Sequence, residues 1–158
     1  MSLNIKITWD TPSGISKLTK RIDSPRLQQG QFSFVCSIFP STYSKNNNLI
    51  FVTTIENGVS GQHVMNAEIN VAIYGKKKRE LKRIHPFSSE SRMCIFDDFL
   101  NVNDLQKFAK KDKLSICISI SEASDRINTP DFKKITGYVG LINMAATCYM
   151  NSVIQMLF

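Results

Sequence analysis

The sequence predicts an antiparallel β-sandwich, followed by a linker and the beginning of a helix. Apolar and polar residues alternate with a period of two through the first three quarters of the chain, and clusters of Asn, Gly, Pro and Ser separate the alternating segments. After Cys148 the apolar residues change to helical spacing. With 158 residues, 42% of them hydrophobic and 21% charged, the chain has the composition of a folded protein and not of a disordered one.

Five segments are predicted to be strands. The clearest places Met65, Ala67, Ile69, Val71 and Ile73 on one face, as expected for a strand with one buried side. The segment at 49–55 is apolar or β-branched throughout, which is typical of a strand covered on both faces. The five segments are residues 5–9, 32–38, 49–55, 64–74 and 113–121.

Between the last two strand-like segments, a short helical segment is predicted. Val102, Leu105 and Phe108 are three residues apart, which fits one or two helical turns. Asn101 or Asn103 would cap its start, because an asparagine side chain accepts a hydrogen bond from a free backbone N–H. We expect this segment to connect two strands.

The change of pattern predicts a domain boundary. Residues 1–124 form the β-domain, residues 125–136 are polar and form a linker, and residues 137–158 begin a second domain. In the last segment Met150, Val153, Ile154 and Leu157 share a helix face. Because this apolar pattern is still running at Phe158, we expect the second domain to continue beyond that residue.

Cofactor, metal and membrane functions have no support in the sequence. Cys36, Cys94, Cys117 and Cys148 occur singly, and neither histidine is next to a cysteine, so the spacing of a zinc site is absent. No apolar run approaches the roughly 20 residues of a membrane helix, and the N-terminus does not have a signal-peptide layout. We therefore expect no cofactor, no metal and no membrane segment, and a location in the cytoplasm, the nucleus or both.

A basic run at residues 76–83 requires its own interpretation, since the chain has a formal net charge of +7. No aromatic residue interrupts the run, and phosphate binding needs a continuous basic face that one hairpin seldom provides. The pattern therefore favours a solvated turn between two strands over a nucleic-acid site. An acidic peptide or protein partner is the intermediate alternative.

Cys148 is predicted to lie at the opening turn of the last helix. The positive end of the helix dipole favours a thiolate there. Asn143 precedes it closely enough for its amide and the Cys148 backbone N–H to point at one oxyanion. From spacing alone, a buried cysteine and a loop-capping asparagine remain the alternative.

Residues 140–158 closely resemble the cysteine box of ubiquitin-specific proteases, GLxNxGATCYMNSxLQxLF. Residues 136–139 resemble the subgroup in which the protease follows a MATH (TRAF-like) domain, the herpesvirus-associated type. The first ~120 residues look like that MATH domain, which in the family is an eight-stranded antiparallel sandwich. The resemblance thus implies a MATH domain followed by the first helix of a papain-like protease domain.

The resemblance implies a cysteine-type deubiquitinase that cleaves isopeptide bonds of ubiquitin. Cys148 would be the nucleophile and Asn143 part of the oxyanion hole. The histidine and the Asp or Asn of such a site lie well downstream in the family, so the 158 residues alone are expected to be inactive. The box departs from the family at Ala145, where the family has glycine. The alternative is a non-catalytic MATH adaptor with a vestigial box.

The implied partners are ubiquitin, ubiquitinated proteins and short linear peptides. In related MATH domains, a groove marked by an Asp-Trp-Gly stretch binds such peptides. Its best counterpart is Arg92-Met93-Cys94, which lacks the tryptophan and carries a positive charge where the family pattern has an acid. The resemblance therefore predicts a peptide groove whose preference is unlike that of tryptophan-bearing relatives and favours acidic peptides; peptide addition at a β-edge is the alternative mode.

Overall fold

A computed structural model describes residues 2–123 of the chain. These residues form two antiparallel sheets with short 3₁₀ helices, which agrees with the predicted β-sandwich. Asn143, Cys148, the predicted linker and the predicted last helix lie outside the described residues. The division into domains at residue 124 therefore remains a prediction.

Nine strands build the two sheets. In the first sheet the order is β1-β9-β6-β7, and in the second it is β2-β4-β5-β8, with β3 also paired to β4. Every pairing is antiparallel. The strands are β1 (Asn4–Asp10), β2 (Ile22–Asp23), β3 (Leu27–Gln29), β4 (Phe32–Phe39), β5 (Asn48–Asn57), β6 (Met65–Tyr74), β7 (Lys78–Phe87), β8 (Met93–Asn101) and β9 (Ser115–Glu122).

The five predicted strands are confirmed as β1, β4, β5, β6 and β9. Alternation in β6 places Met65, Ala67, Ile69, Val71 and Ile73 in the core, each at most 5% exposed. In β5, Phe51 and Val52 point to opposite faces and both are buried, as expected for a strand covered on both sides. Burying such side chains is the main stabilising contribution in a sandwich.

Aromatic side chains fill the space between the sheets. The rings of Phe51 and Phe96 pack edge to face at 5.9 Å, and Phe51 also contacts Phe99 at 5.1 Å. A second pair, Phe34 and Phe87, joins β4 of one sheet to β7 of the other at 5.6 Å. The Phe34–Phe87 pair ties the two layers together, whereas the contacts of Phe51 join the neighbouring strands β5 and β8 within one sheet.

The predicted helical segment is a 3₁₀ helix at Val102–Lys107, and it connects β8 to β9. Asn101 is its cap, because the side chain of Asn101 accepts a hydrogen bond from the N–H of Asn103 at 3.0 Å. A spacing of three matches the three residues per turn of this helix type. Two further 3₁₀ helices lie at Ile15–Lys17 and Ser41–Tyr43. In residues 2–123 no helix is long and apolar enough to cross a membrane.

The interpretation of the basic run as a turn is wrong for most of its length. The turn occupies only residues 75–77, and Lys78–Phe87 is a ten-residue strand at the edge of the first sheet. Charged side chains occupy both faces of this strand, so it has no apolar alternation. Strands β2, β3 and β8 were also not predicted, and the described chain has nine strands where the family resemblance implies eight.

Candidate functional site

The candidate site is the open side of the sandwich, where β7 and β8 form neighbouring edges of the two sheets. The carbonyl of Arg92 accepts a hydrogen bond from the N–H of Ile55 at 2.9 Å, so the hydrogen-bonding groups of residue 92 point toward β5. In a strand, the N–H and C=O groups of successive residues point to opposite sides, so those of Met93 and Ile95 point away from β5. An unpaired edge of this kind can accept an additional strand.

Two arginines of β7 already bind part of this edge. Arg79 donates a hydrogen bond to the carbonyl of Asp98 at 2.7 Å, and Arg83 donates one to the carbonyl of Ile95. The Arg83 guanidinium also lies over the Phe96 ring at 5.0 Å. A guanidinium on a carbonyl satisfies an acceptor that would otherwise face an incoming strand. The arginines therefore restrict strand addition to the part of β8 near Met93.

Exposed apolar side chains flank the edge on both outer faces. Met93 and Ile95 are 55% and 45% exposed and lie opposite Thr54 and Val52 on the outer face of the second sheet. On the first sheet, Ile84 is 52% exposed. Sequence reasoning identified Met93 but missed Ile84 and Ile95, since an isoleucine in a strand is usually a core residue.

Arg92 gives the same end of β8 a positive charge. Its side chain is exposed and donates a hydrogen bond to the carbonyl of Glu56 at 3.0 Å. The Glu56 carboxylate is paired with Arg26 at 2.7 Å. Because the Glu56 carboxylate is already paired with Arg26, it does not neutralise Arg92. The positive charge of Arg92 is therefore available to a ligand.

His85 lies beside this end of the edge. Its Nε2 and the hydroxyl of Ser91 are 3.1 Å apart, and its ring contacts Phe87 edge to face at 4.7 Å. Burial lowers the pKa of His85 below its usual value; a hydrogen bond to the backbone of Ser91 opposes this change, and the charge of Arg83 adds to it. Folding therefore disfavours the protonated form of His85.

The lowered pKa of His85 predicts that the stability of the folded protein depends on pH. A histidine whose pKa is lowered by folding binds its proton more readily in the unfolded chain. Its contribution to the free energy of unfolding is therefore fully present above the unfolded pKa of about 6.5 and is lost as pH falls below that value toward the folded pKa. The melting temperature should drop between about pH 7.5 and about pH 5.5, and His85→Gln should reduce that drop. His63→Gln, at an exposed position, is the matched control and should retain the wild-type drop. Equal pH dependence in all three proteins would contradict the prediction.

Cys36 and Cys94 are poor nucleophiles, because both are buried. Burial raises the pKa of the Cys36 thiol to about 12 and that of Cys94 to about 11. Cys36 Sγ lies 3.6 Å from the Thr53 hydroxyl inside the core. Both act as small apolar core residues, and neither replaces Cys148 as a candidate nucleophile. Among residues 2–123, no group of His, Cys, Asp and Glu could hold a metal ion.

Several curated proteins are similar to part of this chain, although no protein-family model matches it. The chain is 33% identical over 89 residues to ubiquitin carboxyl-terminal hydrolase 15 of Schizosaccharomyces pombe. It is 36% identical over 78 residues to ubiquitin carboxyl-terminal hydrolase 7 of Drosophila melanogaster. Each alignment covers 47% of the chain, but only 8% and 7% of the relatives, so the chain spans less than a tenth of their length. The chain is thus similar in part to ubiquitin carboxyl-terminal hydrolases.

Proposed function

We propose that the chain is the N-terminal part of a cysteine-type deubiquitinase, with a MATH domain that binds partner peptides. The observation that carries this proposal combines two features. The chain is similar in part to two ubiquitin carboxyl-terminal hydrolases, and residues 140–158 carry a sequence that resembles the family's cysteine box. The antiparallel sandwich supports the MATH assignment for the preceding residues.

In the proposed reaction, the Cys148 thiolate attacks the carbonyl carbon of the C-terminal glycine of ubiquitin. A thioester forms, the isopeptide C–N bond breaks, and the released lysine amine takes a proton from the histidine that accepted the thiol proton. Water then hydrolyses the thioester. The Asn143 amide and the Cys148 backbone N–H donate hydrogen bonds to the oxyanion. The reaction also needs a histidine and an orienting Asp or Asn, which in the family that the chain resembles lie well downstream of the cysteine.

The MATH domain is proposed to select partners by strand addition at β8. A peptide that pairs near Met93 meets unpaired backbone groups, the exposed side chains of Met93 and Ile95, and the charge of Arg92. Backbone pairing supplies affinity, and alternate side chains supply specificity. The positive charge favours peptides with acidic residues.

An acidic peptide that binds this edge should depend on Arg92. Arg92→Ala is expected to weaken its binding by about threefold to tenfold, because it removes one exposed charge without altering the core. Fluorescence polarisation of an acidic peptide and its Gln-substituted equivalent measures the effect. Arg21→Ala is the matched control, since that exposed arginine pairs with Asp23 beside β2, at the edge of the second sheet opposite β8. Equal affinity for the acidic and neutral peptides, or no change in Arg92→Ala, would remove the proposed charge preference.

Labelling with ubiquitin that carries a C-terminal electrophile tests the proposed chemistry. The protein is expressed with the histidine-bearing region that the mechanism requires, and the adduct is located by mass spectrometry. A single ubiquitin adduct at Cys148 is the expected result. No adduct, in a protein that is folded and still binds peptides, would favour the non-catalytic adaptor. An adduct at another cysteine would overturn the assignment of the nucleophile.

A further inference from the structure

The structure brings two lysine-rich loops together at one end of the sandwich. The N–H of Lys76, in the turn between β6 and β7, donates a hydrogen bond to the carbonyl of Lys107 at 3.1 Å. Gly75 packs so closely that a Cβ there would lie 2.5 Å from the backbone of Phe108. This contact is available only to glycine, and it fixes the turn against the loop at 107–113.

Together the loops form a larger basic surface than one hairpin could provide. Among residues 2–123, five exposed lysines of these loops have no carboxylate within salt-bridge distance. They are Lys76, Lys77, Lys110, Lys111 and Lys113. Lys78 and Lys107 lie beside them and are paired with Glu80 at 3.0 Å and Asp104 at 2.6 Å.

The second loop is held in one conformation. Lys110 and Lys113 exchange two backbone hydrogen bonds, of 2.9 and 3.1 Å, across a tight turn. At its tip, Lys111 and Asp112 have φ values of 52° and 58°, a conformation that side-chain-bearing residues seldom adopt. The Asp112 carboxylate accepts hydrogen bonds from the backbone and hydroxyl of Ser16. The lysines therefore project from a preorganised loop, which reduces the entropy lost on binding.

Beneath these lysines lies a cleft of about 570 Å³. Its walls combine apolar and charged side chains, as is usual for a binding pocket. Tyr74 is 48% exposed and presents its ring to solvent, with Lys78 Nζ 5.7 Å from the ring centre. The residues that line it include Asp10, Tyr74, Phe108, Lys110, Lys111 and Lys113.

We propose that this cleft, which we call the basic cleft, binds an acidic peptide segment of a partner protein. The segment would place one apolar or aromatic side chain against Tyr74 and its carboxylates against the free lysines. A nucleic acid fits less well, because Asp10, Glu80 and Asp104 interrupt the basic surface and would face a regular series of phosphates. A peptide can space its charges around those carboxylates.

The basic cleft is separate from the peptide edge at Met93. Lys78 and Phe87 are the two ends of β7, a ten-residue strand that spans about 30 Å. The cleft adjoins the Lys78 end, whereas His85 and Ser91 connect the Phe87 end to the start of β8. One short peptide therefore cannot occupy both sites.

Binding is tested with the 158-residue chain and a fluorescein-labelled peptide that has one phenylalanine flanked by glutamates. Replacement of Lys77, Lys111 and Lys113 by Gln is expected to weaken binding by at least about tenfold, because it removes three unpaired charges. Tyr74→Ser should weaken it severalfold and should not change the salt dependence. The matched control replaces Lys6, Lys20 and Lys82 by Gln, which changes the net charge equally outside the cleft.

Three outcomes would overturn the proposal. The cleft and control variants could lose affinity equally, which would mean attraction to net charge alone. Arg92→Ala could abolish binding while the cleft variant retains it, which would place the peptide at β8. A single-stranded RNA of about twenty nucleotides could bind more tightly than the peptide, which would make the surface a nucleic-acid site. Since none of these measurements involves ubiquitin hydrolysis, failure of the deubiquitinase proposal would leave the result intact.

Discussion

Cys148→Ser is expected to abolish ubiquitin hydrolysis in a protein that carries the whole protease domain. A serine hydroxyl has a much higher pKa than a thiol, so the proposed histidine cannot generate a comparable nucleophile. Release of a fluorophore from the C-terminus of ubiquitin is the measurement. Activity that survives the substitution would show that another residue is the nucleophile.

Asn143→Ala is expected to reduce ubiquitin hydrolysis without abolishing it. Loss of one oxyanion donor should lower kcat by roughly 100- to 1000-fold, which corresponds to about 3 to 4 kcal/mol, with little change in KM. Ala145→Gly is the control for the loop, since it restores the residue of the family box. If glycine is needed for the loop geometry, Ala145→Gly raises kcat. Inactivity with either residue at position 145 would favour the adaptor.

Phe51→Ala is expected to cause the largest loss of stability in the β-domain. Phe51 is fully buried and its ring contacts both Phe96 and Phe99. The substitution removes apolar burial and leaves a cavity, which should lower the free energy of unfolding by about 3 to 5 kcal/mol. Urea unfolding of the 158-residue chain measures this change.

Tyr43→Ala is the matched control for Phe51→Ala. Tyr43 is 70% exposed, and its ring and that of Phe39 pack edge to face at 5.9 Å. Its removal should lower the free energy of unfolding by at most about 1 kcal/mol. Similar losses for the two variants would mean that the Phe51 cluster is not the centre of the core.

The sequence was sufficient to predict the strands that bury one face, and insufficient for those at the open edge. In β9, Ile116, Ile118 and Ile120 alternate with serines and a cysteine, and the alternation marks both the strand and its buried side. In β7, the inward positions include Arg79 and Arg83 because that strand lies at the margin of the sandwich. Such side chains reach β8 and leave no periodic apolar signal.

Some residues of the candidate site could likewise be predicted from the sequence, and others could not. Arg92 and Met93 were identified from the family resemblance, but the two arginine contacts to β8 were not, because they join residues from different sheets. The basic run was visible in the sequence, whereas the loop that completes the basic cleft was not. Residues 107–113 reach the turn at 75–77 only because the 3₁₀ helix after β8 carries the chain from one sheet to the other.

The sequence by itself determined that the chain forms antiparallel strands, which of their faces are buried, and where a cysteine box resembling that of ubiquitin-specific proteases lies. Local alternation and motif spacing carry that information, since each depends on residues close together in the chain. Only the tertiary structure decided which edges are open, which carbonyls Arg79 and Arg83 bind, and that two separate lysine runs form one surface. These features depend on pairing and packing between residues far apart in sequence, and no local pattern encodes such contacts.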